Sequence, residues 1–283
     1  MKKTAIVTDT NSGISPAEAA SLGIRVVPMP IIIDGEANFE GVTCTYKEFF
    51  DKLATGAEVN TSQPSVADLT ELWEEVLETH ETLVYIPMSS GLSGACNTAK
   101  ALAGEYEGRV FVADNKRISV TQKQSVLDAI KLADYGLTAK EICDVLEREA
   151  LEASIYITVN TLDLLKKSGR VTKAAAAVAA VLNIKPVLTI QGEKLDAFKK
   201  ARGLEKAKST MIDALRADLE TRFKGQNVTL ATAWSGDDEQ GLLWTEECKE
   251  AFPGYDFLSA PLPLSICCHV AEGAVGIGVI KRL

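Results

Sequence analysis

The chain has 283 residues, 46% of them hydrophobic, so it can bury a sizeable core and has the length of two domains. Its formal net charge is −9 and no run of basic residues stands out, so general nucleic-acid binding is not expected. The six cysteines form no C-x-x-C pair and there are only two histidines, which argues against a zinc site.

The first half of the chain alternates short β-branched runs with helical patterns. Strands are predicted at residues 4–8, 24–33, 83–87 and 109–113. Helices are predicted at residues 45–53, 65–78, 93–106 and 119–135, the first opened by the capping-box pair Thr45 and Glu48. Strands that alternate with helices indicate a parallel sheet with right-handed crossovers.

The second half begins with another capping-box pair, Thr138 and Glu141, which predicts a helix to residue 150. Strands are predicted at 155–159, 228–233, near 257 and at 275–280, with helices at 161–167, 204–223 and 239–251. We place a domain boundary near Ser154, which gives an N-terminal domain of residues 1–153 and a C-terminal domain of residues 154–283.

No targeting or membrane segment is expected. Residues 1–4 lead directly into a predicted strand rather than a signal peptide. The longest apolar-rich run, residues 174–182, is too short to span a bilayer, so no stable membrane insertion is expected. Together with the cysteine usage, these features predict a reducing, cytoplasmic location.

The strongest local motif is S-S-G-L-S-G at residues 89–94, between a predicted strand and a helix. The carboxyl ends of parallel strands bind ligands in open α/β sheets, and a helix N-terminus offers free N–H groups to an anion. Gly91 and Gly94 allow close backbone approach, while Ser89, Ser90 and Ser93 add hydroxyl donors. The motif therefore predicts a carboxylate or phosphate site, and a turn that merely caps its helix is the alternative.

Neither nucleotide-binding nor hydrolase spacing fits this motif. Both G-x-x-x-x-G-K-[ST] and G-x-G-x-x-G are absent, and G-x-S-x-G would require glycine where Ala95 stands. A serine hydrolase that uses Ser93 and His269 stays an alternative, because both occur in the chain order of α/β-hydrolases. A binding protein for another small anion, such as a sugar phosphate, is a further alternative.

Three other segments carry candidate site residues, each with a purely structural alternative. T-S-Q-P-S at residues 61–65 places two hydroxyls before a fixed turn, and Arg170 follows a glycine that ends a helix. His269 precedes a glycine-rich strand. Residues 174–188 are mostly small and apolar, which suits either a helix lining a narrow acyl tunnel or an ordinary buried helix.

Together these motifs resemble the DegV family of fatty-acid-binding proteins over essentially the whole chain. The resemblance includes I-V-T-D-T, G-I-R-V-V-P, T-S-Q-P-S, S-S-G-L-S-G, L-K-K-x-G-R and I-K-P-V-L, and the late histidine. It implies an α/β fold with an N-terminal three-layer α/β/α domain and a C-terminal two-layer α/β domain of mixed sheet.

The resemblance also implies that one long-chain fatty acid, of the palmitate, stearate or oleate type, lies between the domains without any cofactor or metal. Its carboxylate would be held by Thr61, Ser62, Ser93 and Gly94, and Arg170 and His269 match the supporting residues. Such carriers present the acid to a separate fatty-acid kinase, so the chain itself would not be the catalyst.

The sequence departs from the family pattern at three places. Asn115 replaces a serine after Asp114, Ser168 replaces a glycine before Gly169, and Ala271 and Glu272 replace Gly-Pro after the late histidine. The last change is expected to place a carboxylate close to His269.

Overall fold

The computed structural model describes residues 2–178 and 184–283 of the chain. The strands are β1 Lys2–Asp9, β2 Arg25–Val27, β3 Ile31–Ile33, β4 Glu36–Asn38, β5 Val59–Thr61, β6 His80–Ile86, β7 Val110–Val112, β8 Ala153–Thr158, β9 Ile184–Ile190, β10 Asp196–Arg202, β11 Val228–Trp234, β12 Phe257–Pro261 and β13 Val275–Lys281. The helices are α1 Pro16–Leu22, α2 Tyr46–Ala54, α3 Val66–Leu77, α4 Ala95–Ala103, α5 Ser119–Asp134, α6 Ala139–Arg148, α7 Asp163–Ser168, α8 Lys173–Val178, α9 Leu204–Glu220, α10 Asp238–Ala251 and α11 Leu264–Val270.

The first sheet is parallel, as the alternating pattern predicts. Its strand order is β2-β1-β6-β7, with Val7 opposite Arg25 of β2 and Tyr85 of β6. Helices α3 and α4 cover one face around the buried Trp73. Helices α1, α5 and α6 cover the other face, where Ile142 is fully buried. These layers form the expected three-layer α/β/α arrangement.

The second sheet is mixed, with the order β10-β9-β8-β13-β11-β12. Its neighbours are antiparallel except for β11 and β12. Helices α9 and α10 cover one face through the buried Met211 and Trp244. The predicted α/β fold class, with a parallel and a mixed sheet, is confirmed. The domain boundary between residues 153 and 154 stays a prediction.

A small antiparallel sheet, β4-β3-β5, was not expected from the sequence. Its residues Ile31 and Val59 share a core with Leu165 of α7 and Val270 of α11, far away in sequence. The N-terminal half therefore contributes a sheet to the packing of helices from the C-terminal half. This contact brings β5, which ends at Thr61, against α11.

Local hydrogen bonds explain why several helix ends were predictable. The Thr45 hydroxyl accepts the Glu48 N–H at 3.2 Å, while the Glu48 carboxylate accepts the Thr45 N–H at 2.8 Å. Thr138 and Glu141 repeat this arrangement. Such reciprocal capping needs only residues three apart, so the sequence reveals it directly. Gly169, at φ +70°, ends α7 as predicted.

Some predicted elements were wrong. The strand expected at 24–33 is two strands in different sheets, because Pro28 and Pro30 lie between them and cannot donate to a ladder. The single helix expected over 174–188 is also wrong, since α8 is followed by strand β9 from Ile184; residues 179–183 lie outside the described part of the chain. Helix α4 begins at Ala95 rather than Ser93. Helices α1 and α11 and strands β4, β5 and β10 were not predicted.

Among the helices that the structure describes, none combines the length and apolar character needed to cross a membrane.

Candidate functional site

A cavity of about 370 Å³ lies between the mixed sheet and the loops that follow β1 and β6. Asn11 and Met88, just beyond those two strands, both line it. This is the edge of a parallel sheet at which ligands bind in open α/β folds. Most of the wall is apolar, with the polar side chains concentrated in few places. The apolar lining includes Ile118, Ile157, Leu165, Ile190, Leu262 and Ile266.

The residues predicted to hold a carboxylate all line this one cavity, although they come from four distant segments. We call this set of six the mouth: Thr61, Ser62, Ser93, Gly94, Arg170 and His269. Ser62 and Gly94 are exposed and the other four are half-buried, so the mouth joins the cavity to solvent. Their convergence is an observation, whereas their contacts with a ligand stay a prediction.

His269 is held by Thr61 at the mouth. Nε2 of His269 lies 3.0 Å from Oγ1 of Thr61, and the packing of α11 against β5 brings the two residues together. Burial, reinforced by the positive charge of Arg170, lowers the pKa of His269 to about 4. The imidazole is therefore neutral at pH 7. Within the described residues, its buried Nδ1 has no hydrogen-bond partner.

The expected carboxylate beside His269 is not found there. Glu272 is exposed, and its side chain packs over Gly236 instead. The reason is the backbone of the intervening residue, since Ala271 adopts φ +58° and ψ −161° and turns the chain away from α11. Glu272 therefore places its carboxylate beside Gly236 rather than next to the imidazole.

Arg170 supplies positive charge at the mouth. Its Nη1 donates to the carbonyl of Ser168 at 2.6 Å and its Nε donates to the carbonyl of Leu92 at 3.4 Å. The second bond places the guanidinium beside the loop that carries Ser93. An arginine so anchored keeps further N–H donors for an anion.

Some residues of the S-S-G-L-S-G loop line the cavity, and others bond the loop to its neighbours. Ser93 lines the cavity, and its hydroxyl oxygen accepts only the Ala95 N–H at 3.2 Å among the described residues, which leaves its own hydrogen to donate. Ser89 and Ser90, which were also expected to donate to a ligand, do not line the cavity. Ser89 is fully buried and donates to the carbonyl of Gly192, while Ser90 donates to Asp114 at 2.6 Å.

Gly91 lets this loop touch the turn between β9 and β10. A Cβ at Gly91 would lie 2.5 Å from the carbonyl oxygen of Gly192 and 2.7 Å from Cα of Glu193. Those distances leave no room for a side chain. The first glycine of the motif therefore serves loop packing, and Gly94 is the one at the cavity.

The floor of the cavity is formed by small residues on the mixed sheet, which the sequence did not predict. Gly276 of β13 pairs with Ala233 of β11, and Gly278 pairs with Ala231. All four line the cavity and lie on one face of the sheet. Alternating small residues in V-G-I-G-V and L-A-T-A-W were the available signal, but a strand pattern does not tell which face meets a ligand.

A serine-hydrolase relay is not supported by this geometry. Such a relay needs a histidine that is bonded to the nucleophilic serine and is also oriented by a carboxylate. Here His269 is bonded to Thr61 rather than Ser93, and its Nδ1 lacks a carboxylate partner among the described residues. The low pKa of His269 makes it a weak general base at neutral pH.

The described part of the chain contains no cluster of three or more His, Cys, Asp or Glu side chains placed to hold a metal ion. All six cysteines are buried free thiols.

Comparison with known proteins identifies the family. Residues 3–282 match the family model described as "Uncharacterised protein, DegV family". A DegV domain-containing protein of Deinococcus radiodurans is 29% identical over 276 residues, which is 97% of each chain.

Two solved structures share the fold over nearly the full length. A DegV family protein from Thermus thermophilus, described as binding fatty acid, has a TM-score of 0.89 and 29% identity over 99% of both chains. DegV of Bacillus subtilis, described as a fatty acid binding protein, has a TM-score of 0.86 and 26% identity over 100% of both. With its family model matched almost from end to end, the chain belongs to the DegV family.

Proposed function

We propose that this protein binds one long-chain fatty acid, with the carboxylate at the mouth and the acyl chain in the apolar cavity. The observation that carries the proposal is the convergence of six mouth residues, five of them with polar side chains, from four segments at one cavity whose remaining wall is largely apolar. The two relatives described as fatty-acid binding support the same assignment. A short, polar ligand such as a sugar phosphate would leave the apolar wall unused.

The carboxylate would be held by local donors, because the protein as a whole is acidic. The hydroxyls of Thr61, Ser62 and Ser93 and the backbone at Gly94 supply hydrogen bonds, and Arg170 supplies charge. Since His269 is neutral at pH 7, we assign it to orienting Thr61. Hydrogen bonds to a charged group contribute about 1.5–3 kcal/mol each.

The acyl chain would provide most of the affinity. Burial of a sixteen-carbon tail contributes roughly 11 kcal/mol at about 0.8 kcal/mol per methylene. The loss of translational and rotational freedom costs about 4–15 kcal/mol on association. The tail therefore decides how tightly the acid binds, and the mouth decides which end faces solvent.

We further propose that the protein is a carrier that acts in the cytoplasm and presents its acid to a separate fatty-acid kinase. The exposed Ser62 and Gly94 would leave the carboxylate accessible from outside. A second, open pocket of about 280 Å³ adjoins the mouth, shares Ser93 and Arg170 with the cavity and adds Lys194. A partner enzyme could reach the carboxylate through this opening without removing the tail from the cavity.

Native mass spectrometry of the purified protein tests the proposal. We expect a co-purified fatty acid, or uptake of added palmitate or oleate at one molecule per chain. A protein that carries no lipid and takes up neither acid would refute it. Labelling of Ser93 by a fluorophosphonate would instead favour a hydrolase.

A pair of serine variants separates the mouth from the loop that supports it. Ser93→Ala removes a donor at the mouth, so we expect about 10- to 100-fold weaker binding of palmitate with little change in stability. Ser90→Ala removes a bond to Asp114 outside the cavity and should lower stability while affinity is largely kept. Equal affinities for both variants would argue against Ser93 as a carboxylate ligand.

A further inference from the structure

Three buried polar residues other than those of the mouth also line the cavity, and we call them the polar place: Asn11, Ser119 and Ser265. Each is at least nine-tenths buried. The three residues come from different parts of the fold. Asn11 follows β1, Ser119 begins α5 and Ser265 lies in the first turn of α11. A plain alkyl chain offers no hydrogen bond to such groups.

Ser119 is the member of this group whose hydroxyl is left to bond a ligand. Only 6% of the residue is exposed, and its hydroxyl makes no hydrogen bond to any described residue. It is the first residue of the sixteen-residue helix α5, whose first-turn N–H groups lack acceptors within the helix. Residues 118–121 all line the cavity, so this helix end faces the ligand space.

Asn11 and Ser265 complete the polar place. The Ser265 hydroxyl donates to the side-chain oxygen of Asn11 at 2.7 Å, and the Asn11 amide donates to Asp9 at 3.0 Å. Oxygen lone pairs of Ser265 and the second amide hydrogen of Asn11 are left to bond a ligand. A group that both donates and accepts hydrogen bonds matches this set.

The buried surroundings favour a neutral group over an anion. Asp9 is fully buried and bonded to Asn11, and burial raises the pKa of its carboxyl group. A second carboxylate on the ligand would meet the same low dielectric, so its burial as an anion is costly. A hydroxyl carries no charge.

We propose that the cavity recognises a long-chain fatty acid that carries a hydroxyl group on its acyl chain, bound by Ser119, Asn11 and Ser265. This inference rests on the proposed fatty-acid binding and narrows its ligand class.

Helix geometry gives the expected position of the hydroxyl for an acyl chain that starts at Thr61, which is bonded to His269, and runs along α11. Ser265 and His269 are four residues apart on α11, hence on one face and about 6 Å apart along the axis. An extended trans chain advances about 3.8 Å in three bonds, so 6 Å corresponds to roughly five bonds. The hydroxyl belongs in the half of the chain nearest the carboxylate, around the sixth carbon.

Competitive binding of stearic, 6-hydroxystearic and 12-hydroxystearic acids tests the inference. In a cavity that is apolar beyond the mouth, any added hydroxyl should weaken binding, because it would be buried without a partner. We expect instead that the 6-hydroxy acid binds roughly fivefold tighter than stearic acid, the size of one net hydrogen bond. The 12-hydroxy acid should bind more weakly than stearic acid.

Two variants test whether the preference for 6-hydroxystearic acid depends on the polar place. Ser119→Ala and Ser265→Ala should each abolish the preference while stearic acid still binds, and Ser93→Ala should weaken all three acids alike. Equal affinity for stearic and 6-hydroxystearic acids would mean that the polar place holds only water, and would overturn the inference. So would a preference that survives both variants. Failure of every acid to bind would refute the proposed function itself.

Discussion

Replacement of Ala231 by leucine should shorten the fatty acid that the cavity prefers. Ala231 is buried on the cavity floor, opposite Gly278 of β13. It lies two residues, or about 6.6 Å, further along β11 from the turn after His269 than Ala233 does. A larger side chain there would fill the part of the cavity that the methyl end of a bound acyl chain would otherwise occupy.

The magnitude follows from the volume added. Leucine brings three more carbons than alanine and would displace about three methylenes of the ligand. At about 0.8 kcal/mol per methylene, stearate should lose roughly 2.4 kcal/mol, or about 50-fold in affinity. Tetradecanoate is four carbons shorter and should lose much less, so the preferred length should fall.

Isothermal titration with acids of 12 to 18 carbons measures this shift. Ala214→Leu is the matched control, because Ala214 of α9 is buried in the core on the opposite face of the sheet and does not line the cavity. It should cost about 1–3 kcal/mol of stability through overpacking and leave the preferred length unchanged. An Ala231→Leu protein that binds stearate as tightly as the wild type would show that the acyl chain does not run over this floor.

Three further outcomes are expected. Ala271→Gly should raise the melting temperature by about 2 °C in calorimetry. The reason is that φ +58° with ψ −161° suits glycine and strains alanine by about 1 kcal/mol or more. An unchanged or lower melting temperature would contradict this. Gly91→Ala should destabilise the protein by about 1–3 kcal/mol in urea unfolding, since the new Cβ would meet the backbone of residues 192–193. Wild-type stability of this variant would show that the S-S-G-L-S-G loop does not pack against the turn between β9 and β10. His269 has its pKa lowered from 6.5 to about 4 on folding, so the unfolded chain binds more protons and stability should fall as the pH drops through that interval. His269→Gln should flatten this part of the pH profile of unfolding, and an unaltered slope would refute the assignment.

Local chemistry was readable from the sequence, whereas pairing between distant segments was not. The capping boxes at Thr45 and Thr138 depend on residues three apart, and both were predicted. Pro28 and Pro30 mark the break within residues 24–33, but the pairing of β3 with β5 and the packing of β5 against α11 join segments far apart along the chain. Periodicity cannot reveal such partners, so the small sheet that carries Thr61 to His269 was missed.

The mouth was predicted from motifs and resemblance, and the structure brings its residues to one cavity. The cavity floor was missed for a physical reason. Alanine and glycine at alternate positions predict a strand equally well whether they face a ligand or a neighbouring layer. Helices α9 and α10 cover the opposite face of the sheet. The face that carries Ala231 and Gly278 is therefore the one that lines the cavity.

Half of the S-S-G-L-S-G loop serves to fix the position of the loop rather than to line the cavity. Three of its residues hold the loop in place: Ser89 through Gly192, Ser90 through Asp114 and Gly91 through its close packing. That anchoring fixes where Ser93 and Gly94 stand at the cavity. A loop that only capped a helix would not need contacts to two other loops, since a cap is satisfied by the first turn itself. The extent of the anchoring therefore argues that the position of Ser93 matters, which is what a site for a carboxylate requires.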